Sequence, residues 1–266
     1  MARLTGKVSL FATLMLLLTL AHATALGAPD YDRDAALAQS QAAIGTTLAN
    51  HSFRDTNGQR FDLDQLRGKP LVISMIYTSC HHICPTITRN LQDTVDIAQE
   101  ALGDDAFAVI SVGFDWRVDT PDRMSKYGSQ FGIDDDNWHF LSGDDRVVNA
   151  LAQNLGFQFY ASPKGFDHLS QTTIVDADGV VYRQVYGENF GTQLLVEPLK
   201  QLVFDIPRTA GVVEHWIGTF KLFCTVYDPN TGRYVFDYSI FVGIFVGVLC
   251  LGAIATFVVR EWKHAR

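Results

Sequence analysis

The feature that most restricts how this chain can fold is a junction. A β-branched, mainly apolar run from Leu71 to Tyr77 ends in Thr78-Ser79-Cys80-His81-His82-Ile83-Cys84-Pro85, and an amphipathic pattern then continues through Leu102. The run fits a strand buried on both faces, and Pro85 fits the first turn of a helix. Two thiols are therefore expected where a strand gives way to a helix. There the unpaired N–H groups and the positive end of the helix dipole favour thiolate, the form that binds metal and attacks disulfides. Four residues apart, the two sulfurs share one helical face if Cys84 opens the first turn. By spacing alone, a structural disulfide in an exported protein is an equal reading.

Strands and helices alternate around this junction. A helical segment is expected over Asp34 to Leu48, and Phe53 to Leu63 reads as a hairpin turning at Asn57-Gly58. Ala106 to Phe114 reads as a second buried strand, Pro121 to Phe131 as a helix opened by Thr120, and Asp144 to Leu155 as another helix. Gln171 to Val175 and Val180 to Tyr186 form a closing hairpin, followed by a helix over Gln193 to Phe204. Such alternation predicts an α/β domain with a parallel-centred sheet. A dithiol after the first central strand, then βα units, then a hairpin and helix is the order of the thioredoxin fold, here with an N-terminal hairpin extension. Two departures stand out. The spacing is C-x-x-x-C, and the segment Phe166 to Thr172 carries His168 where thioredoxins place a proline facing the dithiol. A loop at that position brings His168 beside Cys80 and Cys84, and two sulfurs with one imidazole suit copper or zinc.

The ends of the chain speak to its compartment. Arg3 and Lys7 precede an apolar stretch from Val8 to Leu20 and then Ala21, Ala23 and Ala25, the layout of a cleavable secretory signal over residues 1–25. Ser239 to Val259 carries no charge and is followed by Arg260, Lys263 and Arg266. This predicts a transmembrane helix over 239–259 with a cytoplasmic tail over 260–266. The expected organisation is a thioredoxin-like domain over 29–205, with its core in 50–205, and a juxtamembrane segment over 206–238. It would be anchored in the cell inner membrane and exposed to the periplasm. The net charge of −8 argues against a nucleic-acid partner, because an acidic surface repels phosphate.

The motifs also resemble a known family. Tyr77 to Pro85, Ser111-Val112-Gly113-Phe114-Asp115-Trp116-Arg117-Val118-Asp119-Thr120-Pro121, and His168 eleven residues before Gly179 are together similar to the Sco/SenC copper proteins. The resemblance covers roughly residues 50–205. It implies a membrane-tethered, thioredoxin-fold protein that binds copper as Cu(I) or Cu(II) and helps to assemble the dinuclear copper site of cytochrome c oxidase. By the same resemblance the copper ligands are Cys80, Cys84 and His168, and Asp115 is the acidic residue close to the site or at a docking surface. The client is then the oxidase subunit that carries the copper site, or another copper enzyme.

The remaining candidates have plainer explanations. Adjacent residues on a turn point different ways, so His81 and His82 are read as facing solvent or supporting the site from outside. A helix-capping role for Thr120 or Asp119 ahead of Pro121 accounts for the second acid without any function. Cys224 sits in an aromatic stretch and Cys250 in the apolar span, and neither is assigned a ligand role. Two functions from different classes remain open. One is a copper metallochaperone; the other is a thiol-disulfide oxidoreductase that uses Cys80 and Cys84 as a reversible redox pair to reduce the partner's cysteines. His168 separates them, since disulfide exchange needs no third ligand. No C-x-x-C-H occurs, which excludes covalent haem attachment.

Overall fold

The computed structural model describes residues 31–81, 83–163, 165–205, 225–228, 233–236, 242–243, 245–252 and 262. The elements are α1 (Arg33–Ala42), β1 (Ser52–Arg54), β2 (Arg60–Asp62), a 3-10 turn (Leu63–Leu66), β3 (Leu71–Ile76), α2 (Ile83–Leu102), β4 (Ala108–Gly113), α3 (Pro121–Gln130) and β5 (Trp138–Ser142). There follow α4 (Asp145–Asn154), β6 (Phe159–Ser162), β7 (Gly165–His168), β8 (Gln171–Val175), β9 (Val181–Tyr186), α5 (Gln193–Asp205), β10 (Thr225–Asp228) and β11 (Arg233–Phe236).

Seven strands form one sheet in the order β2-β1-β5-β4-β3-β8-β9. β3, β4 and β5 run parallel, and β8 lies antiparallel to β3. Every residue of β3 and β4 is buried, as strands covered on both faces require. α2 turns a stripe of Cys84, Ile87, Thr88, Leu91, Thr94, Val95 and Ala98 inward, spaced at the helical period, so one face of the helix seats on the sheet. Two other helices begin on side-chain caps, Thr120 accepting from the Arg123 N–H and Asp144 from the Val147 N–H. This is the thioredoxin-like α/β arrangement that the sequence implied.

The sequence did not disclose three features. β5 follows an acid-rich loop and is only five residues long, so its short Trp-His-Phe-Leu-Ser run carried little periodic signal. The β6–β7 hairpin and the β10–β11 hairpin are shorter still. The expected transmembrane helix over 239–259 is corrected. Among the described residues no helix is long and apolar enough to cross a membrane. In that region helical residues are described only at 242–243 and 245–252. The signal segment 1–25, most of 206–238 with Cys224, the basic tail residues Arg260, Lys263 and Arg266, and His82 lie outside the described residues.

Gly156 closes α4 against α1 at φ +62°, and a Cβ placed there would meet the Gln39 carbonyl oxygen at 2.5 Å. Gly156→Ala therefore combines left-handed backbone strain with a backbone clash. It is expected to lower the unfolding free energy by more than about 1–2 kcal/mol, read from the urea midpoint. An unchanged midpoint would show that α1 does not pack there.

Candidate metal centre

The site lies where β3 and β4 end. Past β3 the chain turns through Tyr77 to Ser79, with the Cys80 N–H donating to the Tyr77 carbonyl at 3.1 Å. α2 starts three residues later, and the Cys84 N–H in its first turn donates to Cys80 Sγ at 3.2 Å. One of the amides that a helix start leaves without an intrahelical acceptor is thus aimed at sulfur. Cys80 is 9% exposed and Cys84 0%, and no disulfide joins them. The Cys84 thiol is pushed well above its ordinary range, first by its hydrogen bond to Cys80 and then by burial. Cys84 therefore keeps its proton and Cys80 is the accepting sulfur. The Tyr77 hydroxyl also hydrogen-bonds Cys80 and takes the Phe166 N–H; burial, followed by that bond to Cys80, raises its pKa and keeps the phenol protonated.

His168 is the last residue of β7, not part of an open loop. Its ring stands edge-on to Tyr77 at 6.1 Å and to Phe114 at 5.4 Å, and tilted against Phe157 at 5.5 Å. Nδ1 lies 2.8 Å from the Leu169 carbonyl oxygen, which can only accept, so Nδ1 carries the hydrogen and Nε2 the lone pair. Burial pushes the imidazole pKa below its ordinary value, which favours the neutral, ligating form. The structure thus joins the two cysteines and sets His168 on the same aromatic wall, with Tyr77 touching both. Among the described residues it does not bring any three His, Cys, Asp or Glu side chains close enough to hold a metal ion.

Of the two acids ahead of α3, Asp119 rather than Asp115 supports the thiol loop. Asp119 is 1% exposed. Its Oδ1 accepts from the Thr78 N–H at 2.8 Å and the Thr78 hydroxyl at 2.7 Å, and its Oδ2 accepts from the Asp115 N–H at 2.9 Å. Burial raises its pKa while these bonds to Thr78 and Asp115 oppose the rise. Capping of α3 belongs to Thr120. Gly113 was the available sequence signal, because a Cβ there would lie 2.4 Å from Asp119 Cβ. Asp115 is half-buried and contributes its backbone to this turn, and His81 is exposed.

In Asp119→Asn a side-chain NH2 would face the Asp115 N–H, or a donor would face Thr78 if the amide flipped. The expected loss is about 1–3 kcal/mol of stability, measured by urea denaturation. The buried histidine adds a pH dependence. A depressed folded pKa means that stability is fully present above the ordinary imidazole value of about 6.5 and is lost as pH falls below it. His168→Gln should flatten the decline in urea midpoint between about pH 7 and pH 5; an equally steep decline in the variant would assign the effect to other groups.

A family model described as SCO1/SenC matches residues 39–203, a span that contains Cys80, Cys84, Asp115, Asp119 and His168. The SCO1 protein homolog of Bacillus subtilis (strain 168) is 28% identical over 140 residues, covering 51% of this chain and 72% of the relative. The SCO2-like protein of Rickettsia felis is 28% identical over 140 residues, and the match covers 50% of this chain and 65% of the relative, just under two thirds. An electron transfer protein of Aquifex aeolicus VF5 superimposes with a TM-score of 0.55 at 27% identity, over 65% of this chain and 98% of that one. Bradyrhizobium japonicum ScoI, solved with copper bound, shares the fold with a TM-score of 0.50 at 23% identity, over 59% of this chain and 99% of its own. With the model matching well over half its length, the chain belongs to the SCO1/SenC family.

Proposed function

We propose that this protein carries copper, holding it through Cys80, Cys84 and His168 Nε2 and passing it to the copper site of cytochrome c oxidase. The observation that carries the reading is the polarised dithiol. Cys80 Sγ receives the helix-start N–H of Cys84 at 3.2 Å, while His168 presents a lone pair from the same aromatic wall. Two sulfurs and one imidazole form a soft donor set that suits copper, and copper-bound relatives of the same fold support the choice of metal. His168 must approach the sulfurs for all three to act together. Cys84 releases its proton when the ion binds, because thiolate is the ligand form. Cargo leaves by ligand exchange, the partner's thiols replacing these donors one at a time. The signal-like pattern from Arg3 to Ala25 supports work outside the cytoplasm, where copper enzymes are assembled from exported parts.

The same polarity favours a second reading. Cys80 as the attacking sulfur and Cys84 as a buried, protonated resolving thiol suit a disulfide reductase acting on the partner's cysteines. Attack by Cys80 on the partner disulfide gives a mixed disulfide and one released partner thiolate. Attack by Cys84 then frees the second partner thiolate and leaves Cys80 and Cys84 joined.

A copper competition titration and a thiol-exchange assay on His168→Ala separate the two. Loss of a group that only supports a ligand costs about 10 to 100-fold in affinity, so direct ligation predicts a larger loss with thiol exchange retained. Oxidase assembly at full level with this variant under limiting copper would overturn copper delivery and leave the reductase.

A further inference from the structure

We propose that Ser40 and Gln171 are positioning residues for His168: a closed circuit of buried hydrogen bonds between α1 and the β8–β9 pair fixes both roots of the β6–β7 hairpin, so that the imidazole reaches the sulfurs from one place. The gain for copper rests on reading His168 as a ligand; the anchoring of the hairpin does not.

One bond closes the segment that carries the histidine. Gln171 Nε2 donates to the Leu155 carbonyl at 3.1 Å, across a separation of 16 residues that contains β6, β7 and His168. Leu155 caps α4, so its carbonyl is one of those that a helix end leaves without an intrahelical donor, and Gln184 Nε2 reaches the same oxygen at 3.0 Å. Gln171 opens β8, and Ser170 before it accepts from the Gly187 N–H at 2.9 Å. From these roots the chain runs straight to the site. Phe157, just past Leu155, packs on the His168 ring at 5.5 Å, and His168 itself lies one short step before Gln171. The hairpin is outside the seven-stranded sheet and meets the rest of the domain through rings, which tolerate sliding, so its roots are where its position is set.

α1 completes the circuit. In the β8–β9 register Gln171 faces Tyr186 and Thr173 faces Gln184, which puts four polar side chains on one face of the pair. Ser40 of α1, wholly buried, enters among them. Its hydroxyl donates to Gln171 Oε1 at 2.7 Å; with that hydrogen committed, the Tyr186 hydroxyl, 2.8 Å away, donates to Ser40. Gln171 Nε2 also reaches Thr173 Oγ1 at 3.2 Å, Thr173 donates to Gln184 Oε1 at 2.6 Å, and Gln184 Nε2 returns to the Ser40 carbonyl at 3.4 Å. The carbonyls of Leu155 and Ser40 can only accept, which fixes both amide orientations and sends every hydrogen the same way around. Such a circuit holds one arrangement, because losing a member strands buried polar groups. His168 is the donor that must travel, and a fixed pivot lowers the conformational cost of delivering its Nε2.

The test uses the full chain with Gln171→Met, which keeps the length and loses the amide, and Ser40→Ala, which removes one hydroxyl and leaves the strands untouched. In the copper-free protein both should shift or broaden the His168 ring Cε1–H resonance, assigned by its loss in His168→Ala. Copper competition should show about tenfold weaker binding in each variant, and no further loss when either is added to His168→Ala. A role confined to stability would lower the urea midpoint but leave the ring resonance and the copper affinity of the folded chain where they were, which overturns the proposal. An equal loss with and without the imidazole overturns it too, as does tighter binding, which would make the circuit a restraint on the hairpin. If Gln171→Met does not fold, Ser40→Ala carries all three measurements. Copper affinity unchanged in His168→Ala would remove ligation by the histidine, while the ring resonance, read without copper, still decides whether the circuit holds the hairpin.

Discussion

The carboxylate of Asp119 joins the two loops from which the site is built, and the rest of the arrangement depends on that joint. β3 and β4 are paired in parallel as far as Ile76 and Gly113, but beyond those residues no ladder bond fixes the thiol loop against the 115–120 loop. Asp119 supplies the missing constraint by accepting three hydrogen bonds from Thr78 and Asp115. Burying a carboxylate costs several kcal/mol unless its oxygens are satisfied, so a partly formed version of this joint is worse than none. The loop that carries Cys80 is accordingly held in one conformation or released altogether. Gly113 is the permissive element, since any side chain there would occupy the space of Asp119.

The sulfur and nitrogen donors rest on supports of different character. Cys84 belongs to a twenty-residue helix whose inward face is part of the core, and Cys80 is tied to it through a backbone amide. His168 instead ends a two-stranded hairpin, β6–β7, outside the seven-stranded sheet. Its contact with the body of the protein is made of rings: Tyr77, Phe114 and Phe157 around the imidazole, with Phe159 and Phe166 against Phe114. Aromatic pairs contribute about 0.5–1.5 kcal/mol each beyond buried area and tolerate several geometries. A donor held in this way can shift over its wall without disturbing the sheet, whereas displacing Cys84 would open the core.

Much of this was legible in the sequence because several signals agreed at the same place. The apolar run into Cys80, the proline in the next helical turn and the Thr120-Pro121 start of α3 each fix local structure by sterics or capping, so the order of the central elements could be read. β5 and the β6–β7 hairpin were not legible, because their short runs gain strand structure only from neighbours far along the chain. The site followed the same division. Cys80 and Cys84 announce themselves, being adjacent on one turn. His168 was placed near them by the order of the fold, but its tautomer depends on the Leu169 carbonyl and its enclosure on three aromatic side chains, Tyr77, Phe114 and Phe157, spread over about eighty residues. Ahead of Pro121 the sequence leaves the cap to Thr120 or Asp119, because a buried acceptor and a capping acceptor have the same signature there; the cap is Thr120. Only the strand-end contact with Gly113 tells them apart. The C-terminal apolar stretch shows the converse limit: composition describes how a segment would fare in lipid, while among the described residues no helix is long and apolar enough to cross it.

The two readings of the dithiol, ligand and reductant, share a first step that burial decides. Cys84 is fully enclosed and protonated, and any approaching group must meet Cys80, the sulfur with the remaining exposure and the one that accepts hydrogen bonds from Tyr77 and Cys84. A copper ion or a partner disulfide therefore contacts Cys80 first, and Cys84 enters only after giving up its proton. That proton is held by the hydrogen bond to Cys80 itself. Engaging Cys80 withdraws its lone pairs, weakens the bond and so lowers the cost of ionising Cys84. The dithiol is thus ordered in time as well as in space, with the second sulfur released by the capture of the first.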